Sequence, residues 1–313
     1  MASPSAADGP AGALREAPGA AVQAFHLGKK YGSRLALGGL DLEVPQGTVF
    51  GFLGPNGAGK TTFVKLLLGL TRPSAGSGTL LGRPLGDRRA RAQVGYLPEL
   101  FRYQGWLRAR EVLTLHCQLA GLPRESFAGE VGRNLELVGL AGRGHDLVGT
   151  FSKGMQQRLG LAVALLGSPR LVVLDEPTSA LDPVGRHDVR ELIRRLRQER
   201  VTVFLNSHML SEVELVCDRV AVVDGGRVVA QGLLSELLSG EGPRVRCLDL
   251  ATDQLPGLGR IRRDGEWVGV EGLDSSRTPE LVAAIVAAGG RVYQVDEGRR
   301  SLEERFLQLL ERA

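Results

Sequence analysis

One stretch, Gly54-Pro55-Asn56-Gly57-Ala58-Gly59-Lys60-Thr61, constrains this chain more than any other feature. An apolar run at residues 49–53 precedes it and a helix-like run at 62–68, opening with Thr62, follows it. The segment therefore reads as strand, tight loop and helix. Its glycines permit unusual backbone angles and close approach, so several N–H groups can converge on one polyphosphate. The helix starting near Lys60 points its positive end at the same anion. In this pattern Lys60 supplies a cation to the β- and γ-phosphates, and the Thr61 hydroxyl ligates Mg²⁺.

The surrounding sequence supplies a domain to hold such a loop. The chain has 313 residues, 43% of them hydrophobic and 24% charged, which suits one large or two modest globular domains. From about residue 22 to 238, short apolar runs (48–53, 171–174, 201–205) alternate with helix-like segments. In one of these, 188–200, Val189, Leu192, Ile193 and Leu196 fall on one face. Such alternation predicts an α/β domain with a largely parallel sheet. Residues 219–223 and 227–231 flank Asp224-Gly225-Gly226, a hairpin signal that adds an antiparallel pair. A boundary is expected at 240–243. Beyond it come a strand at 245–250, a hairpin at 261–270 turning at Asp264-Gly265, and a helix with Thr278 as N-cap and Pro279 in its first turn. A strand at 291–295 and an amphipathic helix at 302–310 complete a small α+β domain, read as accessory and without chemistry of its own.

Several classes are excluded. No apolar run reaches the ~18–20 residues needed to cross a bilayer as a helix. Residues 1–21, rich in Ala, Gly, Pro and Ser, lack the basic start and apolar centre of a signal peptide and read as a disordered leader. Cys117, Cys217 and Cys247 are odd in number and widely separated, which predicts free thiols in a reducing compartment and no zinc site. The net charge of +4 discriminates little, but Lys occurs only at 29, 30, 60, 65 and 153, so Lys60 and Lys153 stand out.

Leu171-Val172-Val173-Leu174-Asp175-Glu176-Pro177 places two carboxylates at the end of a buried strand, where a parallel sheet carries its site. After a phosphate-binding loop, Asp175 is expected to hold Mg²⁺ through water and Glu176 to polarise the attacking water. Adjacent carboxylates need a cation or a proton to coexist, and Mg²⁺ is such a cation. His208 ends the next strand-like run, 201–207, beside the expected γ-phosphate, where it could orient Glu176 or the water.

The order and spacing of these motifs resemble the nucleotide-binding subunit of an ABC transporter, over about residues 22–240. Phe151-Ser152-Lys153-Gly154-Met155-Gln156-Gln157-Arg158 resembles the ABC signature, Ser179-Ala180-Leu181-Asp182 the D-loop, and His208 the switch histidine. Tyr31, in Lys30-Tyr31-Gly32, resembles the aromatic that stacks on adenine. Two departures, Ser-Lys-Gly-Met in the signature and Glu99 where a glutamine is usual, are similar to the bacterial type-2 exporter and drug-resistance branch. The ending Ser301-Leu302-Glu303-Glu304-Arg305-Phe306 is similar to that branch's tail domain.

The resemblance implies a P-loop NTPase fold: an ABC-type ATPase domain at 22–240 with a helical subdomain at about 100–168, then the α+β domain at 241–313. It also implies an ATPase that binds ATP and Mg²⁺, with Glu99 touching the metal. Ser152 and Gly154 would face the γ-phosphate held by a second ATPase subunit, with Asp182 at the same interface, in a head-to-tail dimer. A separate integral-membrane permease would carry the cargo, placing the subunit on the cytoplasmic face of the membrane, most simply for export. Phe101, Tyr103 and Trp106 either fill the local core or form a groove for a helix of that partner. A soluble ABC ATPase acting on nucleic acid, ribosome or an assembly partner is the alternative. Against it, the span from Lys60 to Ser152 has no room for a long coiled coil, there is one cassette, and the Arg-rich stretch 83–91 lacks interleaved aromatics and reads as a solvated face, so no direct nucleic-acid binding is expected.

Overall fold

Parallel pairing sets the architecture. A computed structural model describes residues 19–179, 181–238, 242–296, 298 and 301–311. Most of the expected leader, and residues 239–241 at the expected boundary, lie outside the described residues, as does Ala180. Strands β3 (Val49–Leu53), β6 (Val94–Leu97), β7 (Leu171–Asp175), β8 (Thr202–Asn206), β9 (Arg219–Asp224) and β10 (Arg227–Leu233) form a central sheet in the order β10-β9-β3-β8-β7-β6. The pairs from β9 through β6 are parallel, and β10 closes antiparallel on β9. Gly225 and Gly226 form that hairpin's two-residue turn, both at positive φ, as the twist of a tight hairpin requires.

A second, antiparallel sheet packs beside the first in the order β2-β1-β4-β5: β1 (Ala20–Tyr31), β2 (Arg34–Pro45), β4 (Ala75–Leu80) and β5 (Arg83–Pro84). Ala20 and Ala21, assigned to the leader from composition, belong to β1 instead. Ala20 pairs with Pro45, and Ala21 is fully buried. Small residues hid the strand from the sequence, because an Ala-rich stretch carries little β signal.

Why the central strands read as unbroken apolar runs is clear from their two faces. Val49 and Leu53 of β3, Val172 and Leu174 of β7, and Val203 and Leu205 of β8 enter one core. That core also takes helices α3 (Ala109–Leu119), α4 (Phe127–Leu137), α5 (Lys153–Ala164), α6 (Pro183–Gln198) and α7 (Leu210–Val216). The alternate residues Phe50, Phe52, Leu171, Val173 and Phe204 enter a second core, with α1 (Lys60–Leu67), α2 (Arg88–Arg91) and the antiparallel sheet. A sheet covered on both sides needs apolar residues at every position.

After the short α8 (Leu234–Leu237), a third core lies in a five-stranded antiparallel sheet of order β12-β13-β14-β11-β15. Its strands are β11 (Arg244–Leu248), β12 (Gln254–Leu255), β13 (Gly259–Asp264), β14 (Trp267–Val270) and β15 (Arg291–Asp296), and α9 (Thr278–Ala287) covers one face through Leu281 and Ile285. Two local expectations are corrected. Asp264 pairs with Trp267, so the turn residues are Gly265-Glu266. Thr278 is the first helical residue, not the cap; its hydroxyl donates to the Ser275 carbonyl (2.6 Å) and so serves the preceding turn. The last helix, α10 (Leu302–Glu311), follows the C-terminal sheet in the chain and is expected to pack with it, yet Leu302 and Phe306 pack into the first core, which also holds α5–α7.

Candidate active site

The glycine-rich loop forms where β3 runs out. Leu53 is fully buried, and a Cβ added at Gly54 would lie 2.2 Å from the Val223 carbonyl oxygen, so only glycine fits there. Gly59 caps α1 at φ 102, in the left-handed region, which lets the chain turn directly into the helix. Lys60 reaches back over the loop, its Nζ donating to the carbonyls of Gly54 (2.6 Å) and Pro55 (3.1 Å). Burial lowers its pKa, while the charges of Glu176, Asp175 and Glu99 act to raise it.

Across the cavity, Asp175 ends β7 and is 3% exposed; Glu176 follows at 6%. The β7–β8 register sets Asp175 opposite Asn206, whose Nδ2 donates to Asp175 Oδ1 at 2.6 Å. Burial pushes the Asp175 carboxyl above the usual range, the Asn206 hydrogen bond opposes this, and Glu99 and Glu176 add to the rise. Glu176 takes a positive φ of 52, rare for a residue with a side chain, and its N–H donates to the Asn206 carbonyl (2.9 Å). Its Oε1 accepts the His208 backbone N–H (2.9 Å) and lies 2.8 Å from His208 Nδ1. A carboxylate accepts at that distance only from an Nδ1 that carries hydrogen, and in the neutral ring that tautomer makes Nε2 the acceptor. Ser207 Oγ donates more weakly to Oε2 (3.4 Å).

These groups share one cavity of about 380 Å³, whose wall includes Gly54, Pro55, Asn56, Lys60, Thr61, Glu99, Asp175, Glu176 and His208. Thr61, Asp175 and Glu99 offer hydroxyl and carboxylate oxygens, the donor chemistry Mg²⁺ takes, and phosphate oxygens commonly complete such a set. The residues fit that ion. Gly57, Ala58, Gly59 and Thr62 complete the loop and the first turn behind the wall.

Other expected residues lie elsewhere. Tyr31 ends β1, 46% exposed, with Lys29 Nζ 4.9 Å from its ring centre, and is not in the wall of this cavity. Ser152 caps α5, its Oγ accepting the Met155 N–H (3.2 Å), so the helix begins at Lys153. Asp182 caps α6 in the same way, accepting from Gly185 N–H at 2.9 Å. Ser152, Lys153, Gly154 and Asp182 are all outside the cavity wall.

Three residues take no role from the sequence, although Gln157 and Phe306 lie inside the segments that resemble the signature and the tail domain. Asn206 occupies its place through strand register. Gln157, buried on α5, donates to the Pro177 carbonyl (3.0 Å) and ties the Ser152 helix to the loop after Glu176. Phe306 reaches the cavity from α10, nearly a hundred residues after His208. Asn206→Leu is expected to lower stability by about 2–3 kcal/mol, because it strands a buried carboxylate without its donor. A urea unfolding midpoint equal to wild type would show that Asp175 does not depend on this bond.

The family model for the ABC transporter matches residues 37–179. An uncharacterized ABC transporter ATP-binding protein of Nostoc sp. is 42% identical over 289 residues, covering 89% of this chain and 84% of that one. This chain belongs to the ABC transporter ATP-binding proteins. It is also similar to the bacitracin transport ATP-binding protein BcrA of Bacillus licheniformis (40% identical, covering 67% of this chain and 69% of that one). The Nod factor export ATP-binding protein I of Cupriavidus metallidurans is 38% identical, covering 71% and 74%. A solved ATP-binding subunit of an ABC transporter superposes with a TM-score of 0.64 at 29% identity, over 69% of this chain and 91% of that one. The α/β fold of this ABC ATP-binding subunit is thus that of the family's ATPase domains, and its relatives include exporter-type proteins. Among its described residues no helix is long and apolar enough to cross a membrane.

Only part of the aromatic segment after Glu99 fills the local core. Phe101 and Tyr103 are partly buried against the core, their ring centres 5.3 Å apart. Trp106 is 76% exposed and Leu100 87%.

Proposed function

We propose that this subunit hydrolyses ATP to power export through a separate membrane permease. The observation that carries the reading is the cavity itself: Lys60, Asp175, Glu176 and His208 converge from the ends of β3, β7 and β8. The backbone N–H groups of the Gly54–Lys60 loop and the Lys60 ammonium would bind the β- and γ-phosphates. Thr61, Asp175 and Glu99 would hold Mg²⁺, which when bound would neutralise charge on the phosphate oxygens. Glu176 would take a proton from water as the water oxygen attacks the γ-phosphorus and the bond to ADP breaks. Its carboxylate is aimed by the His208 backbone and imidazole, which also stand where the γ-phosphate would lie.

The placement of Ser152 supports dimerisation. It stands exposed at the N-terminus of α5, a ready anion site, yet outside the wall of its own chain's cavity. A second copy packed head to tail would set that helix end against the γ-phosphate, burying two ATP molecules between two subunits. ATP binding then favours the closed pair and hydrolysis releases it, because affinity differs between the two states.

Leu100, the residue after Glu99, and Trp106 are exposed apolar side chains of the segment that follows Glu99, so a partner helix seated on that segment would feel changes at the nucleotide. This supports a permease on that face and a peripheral position on the cytoplasmic side of the membrane. Trp106→Ala is expected to reduce co-purification with the permease at least roughly tenfold, the effect of losing an interface anchor. Its thermal unfolding should match wild type, since the ring packs little in the isolated chain. Undiminished co-purification would remove Trp106 from the interface.

A further inference from the structure

Helix α10 begins with a locally encoded start. Ser301 Oγ accepts the Glu304 N–H (3.2 Å) while Glu304 Oε2 accepts the Ser301 N–H (3.0 Å), a reciprocal capping box. A third acceptor comes from far away. Glu214 of α7 takes the Leu302 N–H through Oε2 at 3.0 Å, placing a negative charge at the positive end of α10. The two helices also meet through side chains. Leu302 is 1% exposed in a core with Val213 and Val216 of α7, Cys217 and Val220. Phe306, one turn on, packs on the same core and, with Leu210, completes the wall of the nucleotide cavity. No described residue of α10 enters the core of the C-terminal sheet, although Glu304 and Gln308 line a cavity beside that sheet's Arg244 and Trp267.

Helix α7, so held, follows His208 almost directly in the chain. It starts at Leu210, directly after the short stretch 207–209, and Phe306 shares the wall of the cavity with Ser207, His208 and Leu210. That stretch aims Glu176: the His208 N–H and Nδ1 both contact its Oε1, and Ser207 contacts Oε2. Among the described residues of α10 only Phe306 lines this cavity, and its ring carries no group that titrates or reacts in this chemistry, so it can act there only through shape. We propose that α10 is a working part of the ATPase site, with Phe306 a positioning residue that holds the 207–210 segment and so sets the geometry of His208 and Glu176. The C-terminal domain would thereby be tied to turnover rather than to nucleotide affinity. This inference rests on the ATP-hydrolysing reading above.

The test uses the full-length chain, measuring steady-state ATPase activity and equilibrium binding of a fluorescent ATP analogue. Phe306→Ala is expected to lower kcat roughly tenfold, the scale on which slight misplacement of a reacting group acts, with KM and Kd within about twofold. Phe306→Leu, which keeps an apolar contact, should recover most of the loss. Glu214→Ala releases the start of α10 without touching the cavity and should lower kcat in the same sense, by roughly threefold. It also keeps the proposal testable should Phe306→Ala fold poorly. A kcat within twofold of wild type in both Ala variants would overturn the proposal. Parallel loss of kcat and ATP binding, with Phe306→Leu no better than Ala, would also overturn it by showing a merely structural role. Failure of the underlying reading looks different: wild type itself would show no ATPase activity above Lys60→Ala.

Discussion

Glu176→Gln should reduce ATP turnover by roughly 10²- to 10³-fold while leaving ATP binding intact, the range expected when a positioned base is lost. The amide has nearly the same shape as the carboxylate, and its oxygen can still accept the His208 N–H that now reaches Oε1 at 2.9 Å. It cannot accept a proton from water, so the cycle would stop after ATP has bound. If two copies close around two nucleotides, the variant would accumulate as a dimer with ATP, a doubling of mass that size-exclusion chromatography with light scattering would detect. Turnover equal to wild type would remove Glu176 as the base. Loss of turnover without a dimer would leave the base in place and sink the head-to-tail arrangement.

Lys60→Ala is expected to weaken ATP binding roughly 100-fold, since a charge-assisted hydrogen bond is worth about 1.5–3 kcal/mol and each 1.4 kcal/mol is tenfold. The side chain is poised for this. It arches over the loop to the Gly54 and Pro55 carbonyls, in a cavity wall shared with Glu99, Asp175 and Glu176. Removing it deletes the contact with the β- and γ-phosphates and leaves those carboxylates facing an incoming polyphosphate without a protein cation from this loop. Fluorescence titration with an ATP analogue would measure the loss, and normal affinity would refute the phosphate-loop assignment. The two variants separate binding from chemistry: Lys60→Ala should fail to fill the site, whereas Glu176→Gln should fill it and stop.

Much of this site is legible in the chain because its chemistry demands particular residues at short spacing. A backbone cradle needs Gly54 where Val223 presses close and Gly59 where φ is positive, and the adjacent Lys60 and Thr61 follow from the same turn. Asp175 and Glu176 sit at a strand end that the apolar run 171–174 announces, and Ser152 and Asp182 are cap residues that mark helix starts. Composition misled where a weak local preference met strong tertiary burial, as at Ala20 and Ala21 in β1.

Sequence alone therefore determined the parallel α/β class, the position of the glycine-rich loop and the identity of the charged groups near it, since each rests on local spacing and on residue types with few substitutes. The partnership of Asn206 with Asp175, the tie from Gln157 to Pro177, and the way His208 grips Glu176 were settled only by the tertiary structure, because they depend on strand register and helix packing between distant segments. The same holds for α10. Its amphipathic pattern predicts a helix, but an apolar stripe does not specify which core it will enter. Glu214 and the cavity beside Leu210 decide that it packs on the ATPase side.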